Sequence, residues 1–365
     1  MGIFIIKHIG HRCNLDCEYC YYCEEDEKRN EKKIMNHKIL ESLFLKSFKY
    51  YKDRIDFVWH GGEPLLAGRN FFQNMLRVQN KFTNKYPNIK VINGIQTNAT
   101  LINDNWAELF AKYKFSVGVS CDGPEQFHNV CRVDKNGKGS FSNFLKGWEF
   151  LKKKKIKVGA ICVVTKASVK YPEELCEFFY NQGFMHFHPK PCYEIIDGKL
   201  TESSITPGEY LEFMIKAFDW WIKKNDPKFE IRNLKEIVKV FIGGKANLCE
   251  FTGNCGLFLT VNYNGDIGPC DSFPAFRFNF GNIVDQSWED IFQSAEYKNF
   301  LIKIKQSREK CFGCEWQKVC HGGCLRYSYN YTDDSWHHNV FCEAKKELFS
   351  YIKKRVDKLI PQISK

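Results

Sequence analysis

The sequence predicts an α/β fold, a curved sheet or partial (β/α)6 barrel, followed by a second region organised around cysteines. Three observations predict it. Six short β-branched or aromatic runs alternate with longer segments of helical period between residues 3 and 205. Helix-start and turn signals such as "NDNWAELF" and "DGPEQFH" separate them. From residue 249 to 342 this alternation gives way to closely spaced cysteines.

Strands are expected at 3–9, 55–60, 90–97, 115–120, 158–165 and 184–189. Helices are expected at about 36–50, 70–86, 104–113, 141–153 and 171–182. Strands separated by helices imply a mainly parallel sheet with right-handed crossovers. Such a sheet places an active site at the carboxyl ends of its strands. Two further helical stretches, 207–224 and 231–242, lead to "LFLTVNYNGDIGPC", a hairpin turning at "NG". The expected divisions are 1–205 for the barrel, 206–248 for a helical connection, 249–345 for the cysteine-rich domain and 346–365 for a C-terminal helix. No internal repeat or low-complexity linker interrupts them.

The chain has 365 residues, 44% hydrophobic and 27% charged, enough for a sizeable core. Its net charge is +11, but the lysines are spread thinly, which favours plain surface lysine over a nucleic-acid partner. No run approaches the roughly 20 apolar residues that span a bilayer, and "IFIIKHI" is too short for a signal segment. These features lead us to expect a cytoplasmic protein with no membrane partner. Seventeen cysteines in a reducing compartment point to metal or cluster ligation rather than disulfides.

The first constellation is "HRCNLDCEYCYYC" at 11–23, with Cys13-x3-Cys17-x2-Cys20 between a strand and a helix. Three thiolates on a short loop hold three irons of a [4Fe–4S] cube and leave the fourth iron open for chemistry. A zinc knuckle completed by His11 or Cys23 is the alternative from the loop alone. The second constellation is Cys255-x9-Gly265-x4-Cys270, then Cys311-x2-Cys314-x5-Cys320-x3-Cys324, then Cys342. Cys249 adds an eighth thiol, and eight suffice for two fully ligated cubes or a pair of structural zinc sites. Of the remaining six, Cys162 and Cys176 sit in a strand and a helix as buried small hydrophobes, and Cys23 reads as a bystander.

The N-terminal spacing resembles the signature of the radical S-adenosylmethionine (SAM) enzymes, with Tyr19 at the aromatic position before the last cysteine. "WHGGEPLL" at 59–66 resembles that family's GGE motif, which contacts the amino group of SAM. The resemblance implies SAM contacts by Gly61, Gly62 and Glu63. It implies more by "GIQTNATLI", by Ser120 in "VGVSCDGP", by Arg132 and by the backbone at Tyr193. The chemistry agrees: paired glycines let backbone approach a ligand, Glu63 suits an ammonium and Arg132 a carboxylate. The later cysteines resemble the SPASM domain. That resemblance implies one auxiliary [4Fe–4S] cluster on Cys249, Cys255, Cys270 and Cys324, and another on Cys311, Cys314, Cys320 and Cys342. With three cluster cores bound, the net charge would fall to about +6.

From about residue 3 to 345 the motifs follow the order seen in the anaerobic sulfatase-maturating enzymes. This implies oxidation of a Cys or Ser β-carbon to formylglycine, with Asp271 of "GPCDSF" as the base and a flavodoxin- or ferredoxin-type electron donor. By itself Asp271 is also an ordinary turn residue. Two departures stand out: Ala99 where the family has glycine, and an atypical "FHPKPCYE" at 187–194. A rival reading is a maturase that crosslinks a ribosomally made peptide precursor. The twelve residues before Cys13 leave no room for the leader-binding module many such enzymes carry. A non-catalytic zinc or nucleic-acid-binding protein is the remote alternative. His337 and His338 read as exposed loop histidines.

Overall fold

The computed structural model describes residues 1–22, 33–196, 198–273, 277–330 and 333–363. Cys23 lies outside the described residues. The first elements in chain order are β1 (Gly2–Lys7), α1 (His37–Tyr50), β2 (Arg54–Trp59), α2 (Arg69–Lys85), β3 (Lys90–Thr97) and α3 (Asp104–Lys112). They are followed by β4 (Ser116–Ser120), α4 (Glu125–Cys131), α5 (Phe141–Lys153), β5 (Val158–Val164), α6 (Pro172–Asn181) and β6 (His186–Pro191). This is the mixed α/β fold expected. The chain divides into two compact units, each discontinuous in sequence. Unit one is Met1–Ser120, Arg132–Val158 and Gly256–Ile302; unit two is Cys121–Cys131, Gly159–Cys255 and Lys303–Lys365.

In unit one, β1 to β4 pair in parallel and in sequence order, with Ile3 opposite Asp56, Asp56 opposite Ile92 and Ile95 opposite Val117. Phe4, Ile6, Phe57, Trp59, Ile95 and Val119 are buried along them, as expected of a parallel sheet. Asparagines start two of the crossover helices: Asn36 accepts from Ile39 N–H at 3.0 Å and Asn103 from Trp106 N–H at 3.1 Å. The hairpin forms as Phe258–Asn262 and Asp266–Gly268. It belongs to unit one, where Phe258–Asn262 runs parallel to β1, Ile5 opposite Thr260. The cysteine-rich stretch is therefore shared between the units, and this part covers what would otherwise be the open edge of β1. Trp288 locks it there, stacking on Phe4 at 4.6 Å and donating to Ser47 Oγ at 3.1 Å.

Unit two carries β5 and β6 in parallel, Ala160 opposite Phe187. Helix Pro207–Lys224 starts with a capping box: Thr206 Oγ1 accepts from Glu209 N–H, and Glu209 accepts from Thr206 N–H. The C-terminal helix Cys342–Ile363 is tied to it by Tyr351, whose hydroxyl donates to Asp219 at 2.8 Å. Cys121, Cys131, Cys162, Cys176 and Cys192 are buried. Among the described residues, no helix is long and apolar enough to cross a membrane.

Candidate active site and cluster ligands

The loop after β1 carries Cys13, Cys17 and Cys20, all partly exposed. Its sulfurs already have donors aimed at them. Leu15 N–H points at Cys13 Sγ at 3.4 Å, Asn98 Nδ2 lies 3.8 Å from the same atom, and Arg132 Nη1 lies 4.0 Å from Cys17 Sγ. N–H donors around sulfur suit cluster-bound thiolates. Without a metal the Cys13 thiol stays protonated: burial first, then Glu63, pushes it up to about 12. A positive cluster core would reverse that penalty, so the donor set fits the group. Arg132 is buried, and its guanidinium lies 5.5 Å from the Tyr19 ring centroid.

Glu63 follows β2 and is fully buried. Its carboxylate accepts from Thr97 Oγ1 at 2.7 Å, Asn98 N–H at 2.8 Å and Leu65 N–H at 3.1 Å. Burial outweighs these donors and raises its pKa to about 7. An incoming ammonium would offset that cost and hold the group ionised. Glu63→Gln keeps one oxygen for Thr97 and Leu65 and loses only the bond from Asn98 N–H, so the fold should survive. SAM affinity of the anaerobic holoprotein should fall about ten- to a hundredfold, the value of one charged hydrogen bond; unchanged affinity would exclude the contact.

The two glycines before Glu63 do something the sequence did not suggest. Both have positive φ, +78° and +34°. A Cβ on Gly62 would sit 1.9 Å from the Arg12 carbonyl oxygen, and one on Gly61 would sit 2.7 Å from that of Gly10. Glu63 N–H donates to the Arg12 carbonyl at 2.9 Å. The close approach is thus to the backbone of the cysteine loop. Ala99 has a φ of +62°, which explains why a glycine suits that position. Ala99→Gly relieves the left-handed strain but loses a buried methyl, for a net gain of on the order of 0.5 kcal/mol in chemical denaturation. Ser120 ends β4 and accepts from Gln96 Nε2 at 3.0 Å.

Asp271 stands just beyond the hairpin, in a polar cluster of unit one that sequence reasoning missed. Tyr21 and Tyr22 donate to its Oδ2 at 2.7 and 3.1 Å. His60 Nε2 lies 3.8 Å from the same oxygen. Gly61 N–H donates to His60 Nδ1 at 2.7 Å, so the imidazole proton sits on Nε2. Burial lowers the His60 pKa against the pull of the Asp271 carboxylate. Lys7, fully buried at the carboxyl end of β1, places its ammonium 4.4 Å from the Tyr22 ring centroid. Burial pushes Asp271 up, but His60, Lys7 and the two hydroxyls outweigh it and hold the carboxylate below its ordinary value. The "CYY" run shows tyrosines, but nothing local says that they meet a residue 249 or 250 positions away.

The remaining thiols divide by unit. Cys249, Cys255 and Cys324 are in unit two, and Cys270 is in unit one. After burial, Cys324 is the largest influence raising both the Cys249 and the Cys255 thiol. Beside Cys249, buried Glu250 accepts from Lys190 Nζ at 3.0 Å and from His188 Nε2 at 3.2 Å. Burial is the largest influence on His188 and lowers it to about 3, so the charged pair is Lys190 with Glu250. Cys311, Cys314, Cys320 and Cys342 line one cavity of unit two. His338 lines the same cavity, with its Nδ1 buried, and is not a free loop histidine. Tyr193 is also in unit two, its ring 5.3 Å from Phe341 and 6.3 Å from Tyr327. A separate cleft of about 570 Å³ opens beside Cys13, lined by Arg12, Asn14, Thr100, Lys135 and Asn143.

Residues 8–179 match the model of the radical SAM superfamily, and residues 249–315 match that of SPASM, an iron–sulfur cluster-binding domain. The chain is 32% identical over 354 residues to a cysteine-type anaerobic sulfatase-maturating enzyme of Clostridium perfringens, covering 95% of each. It is 29% identical to a serine-type enzyme of Bacteroides thetaiotaomicron, covering 97% of this chain and 90% of that one. It superposes with a TM-score of 0.89 on a solved structure, native anSMEcpe with bound AdoMet and Cp18Cys peptide. That match is 29% identical and covers 99% of this chain and all of the other. The chain is a radical SAM enzyme and belongs to the family of anaerobic sulfatase-maturating enzymes.

Proposed function

We propose that this enzyme oxidises the β-carbon of a cysteine, in an unfolded sulfatase segment, to formylglycine. The observation that carries this reading is Asp271, an anionic carboxylate held by two tyrosine hydroxyls in the same unit as the Cys13–Cys17–Cys20 loop and Glu63. When bound, the cluster and SAM supply a 5′-deoxyadenosyl radical that removes a hydrogen atom from carbon. The chain supplies placement. Glu63 accepts the SAM ammonium, Arg132 pairs with its carboxylate, and Tyr19 packs alongside the cofactor. Gly61, Gly62, Ser120 and the backbone at Tyr193 complete the SAM contacts.

As the β-carbon loses its hydrogen atom, Asp271 takes the thiol proton and one further electron leaves. The resulting carbon–sulfur double bond is hydrolysed by water to the aldehyde, releasing hydrogen sulfide. Cysteine is favoured over serine on acidity. A thiol titrates near 8.5, far closer than an alcohol to a carboxylate held below its ordinary range. Cys249, Cys255, Cys270 and Cys324 hold one auxiliary [4Fe–4S] cluster, and Cys311, Cys314, Cys320 and Cys342 hold a second. Either offers an acceptor for the departing electron. With the SAM cluster this makes three [4Fe–4S] clusters and about twelve irons per chain.

The cleft beside Cys13, with Arg12 and Lys135, gives an acidic flavodoxin- or ferredoxin-type donor an outside approach to the first cluster. A chain with seventeen cysteines, eleven of them assigned to clusters, suits a reducing, cytoplasmic location. The test is mass spectrometry after incubating reconstituted enzyme, SAM and a reductant with matched Cys and Ser versions of a C/S-x-P/A-x-R peptide. In the Cys peptide, sulfur should be replaced by oxygen with loss of two hydrogens. Loss of two hydrogens with sulfur retained in a crosslink would replace this reading by peptide crosslinking.

A further inference from the structure

Lys345 lies in the first turn of the C-terminal helix, three residues after Cys342. Its Nζ is sealed from solvent and has no hydrogen-bond partner among the described residues. An ammonium carries three donors and is expensive to bury unpaired. Its surroundings indicate what the missing acceptor is. Lys345 lines the cavity formed by Cys311, Cys314, Cys320 and Cys342. It also lines a second cavity of the same unit, with Glu250 and Asn233.

The backbone is cut to admit the ammonium. A Cβ on Gly323, between Cys320 and Cys324, would lie 2.5 Å from Lys345 Nζ. That glycine has a φ of +71°, a conformation that disfavours any side chain, and one there would have to displace the Lys345 ammonium. Asn339 fixes the same turn by donating to the carbonyls of Gly322 at 3.1 Å and Cys324 at 2.9 Å. The ammonium therefore lies against the short segment joining Cys320, assigned to one auxiliary cluster, to Cys324, assigned to the other.

We propose that Lys345 is the built-in counter-cation of the auxiliary clusters, donating to the sulfurs of the Cys311–Cys314–Cys320–Cys342 cluster and raising its reduction potential. This rests on the assignment of those four cysteines as cluster ligands. A cube with four thiolates carries net negative charge and accepts hydrogen bonds at sulfur. It supplies the hydrogen-bond acceptors that Nζ lacks, beside the longer-range attraction of the Glu250 carboxylate. Hydrogen bonds and positive charge near a cluster favour its reduced form, so Lys345 makes this cluster a better electron acceptor. Lys345 acts as a positioning residue, through the cluster.

The experiment compares wild type, Lys345→Met and Lys345→Arg as anaerobic holoprotein. It uses an EPR-monitored redox titration, with the SAM-responsive cluster as internal reference. The metal-free forms are compared by thermal unfolding. Lys345→Met should shift one auxiliary potential to lower values and leave the reference in place; Lys345→Arg should remain close to wild type. Lys345→Met should destabilise the holoprotein more than the metal-free protein, because Nζ finds its hydrogen-bond acceptors only in the cluster. Loss of about four irons from an otherwise stable Lys345→Met protein would support the same conclusion. Unmoved auxiliary potentials, or equal destabilisation with and without metal, would overturn it. Cys311→Ala separates the layers: unchanged iron content there would instead remove the ligand assignment beneath the proposal.

Discussion

Asp271→Asn should retain its iron and its fold while losing on the order of a hundredfold to ten-thousandfold in formylglycine formation. The amide oxygen still accepts the Tyr21 and Tyr22 hydroxyl protons, so the local geometry is preserved. What disappears is the ability to take a proton. The pH dependence follows from the direction of the shift. Asp271 is held below its ordinary value, so it stays ionised down through the usual carboxylate range. Wild-type turnover should show no loss from this group between pH 8 and about 5, the window above an unperturbed carboxylate. Full turnover by the Asn variant, measured as aldehyde formed per hour, would remove Asp271 as the base.

Gly62→Ala should cost the enzyme its SAM cluster. The added methyl would lie 1.9 Å from the Arg12 carbonyl oxygen, a backbone atom that no rotamer change can move. The residue would also be forced into the left-handed region, at about 1–2 kcal/mol. Relief requires shifting either the GGE turn or the loop before Cys13. Either movement breaks the bond from Glu63 N–H to Arg12 and displaces Glu63 from its donors at Thr97 and Asn98. Iron analysis should find about four fewer irons per chain, with the auxiliary signals retained. Wild-type iron content and SAM binding would show that the clash is absorbed elsewhere. A surface glycine with open space around it, Gly137, is the control.

Much of this was legible in the sequence, because the signals were local. The runs at 55–60 and 90–97 became β2 and β3 within a residue of their expected limits, since each is a short β-rich segment bounded by polar turns. Asn103 before "DNWAELF" marked the start of α3 because a cap acts only three residues ahead. The "NG" hairpin formed where expected, but its pairing with β1 did not show. Parallel pairing across some 250 residues has no local signal. The two GGE glycines were read as making room for a ligand, and the structure adds that they also make room for the Arg12 and Gly10 carbonyls. Spacing cannot tell which backbone approaches which. The tyrosines around Asp271, the imidazole of His60 and the buried ammonium of Lys7 were missed for the same reason. Their role exists only once the carboxyl ends of β1 and β2 and the end of the hairpin meet. Lys345 read as one more surface lysine, because a helix pattern does not reveal that a side chain end is sealed from solvent.

The most direct measurement uses a sulfatase-segment peptide whose cysteine carries deuterium on its β-carbon, incubated with reconstituted enzyme, SAM and a reductant. The account predicts one deuterium in the 5′-deoxyadenosine formed and an aldehyde at the former cysteine, in equal amounts. Deuterium transfer from any other position, or deuterated nucleoside with no aldehyde, would contradict it.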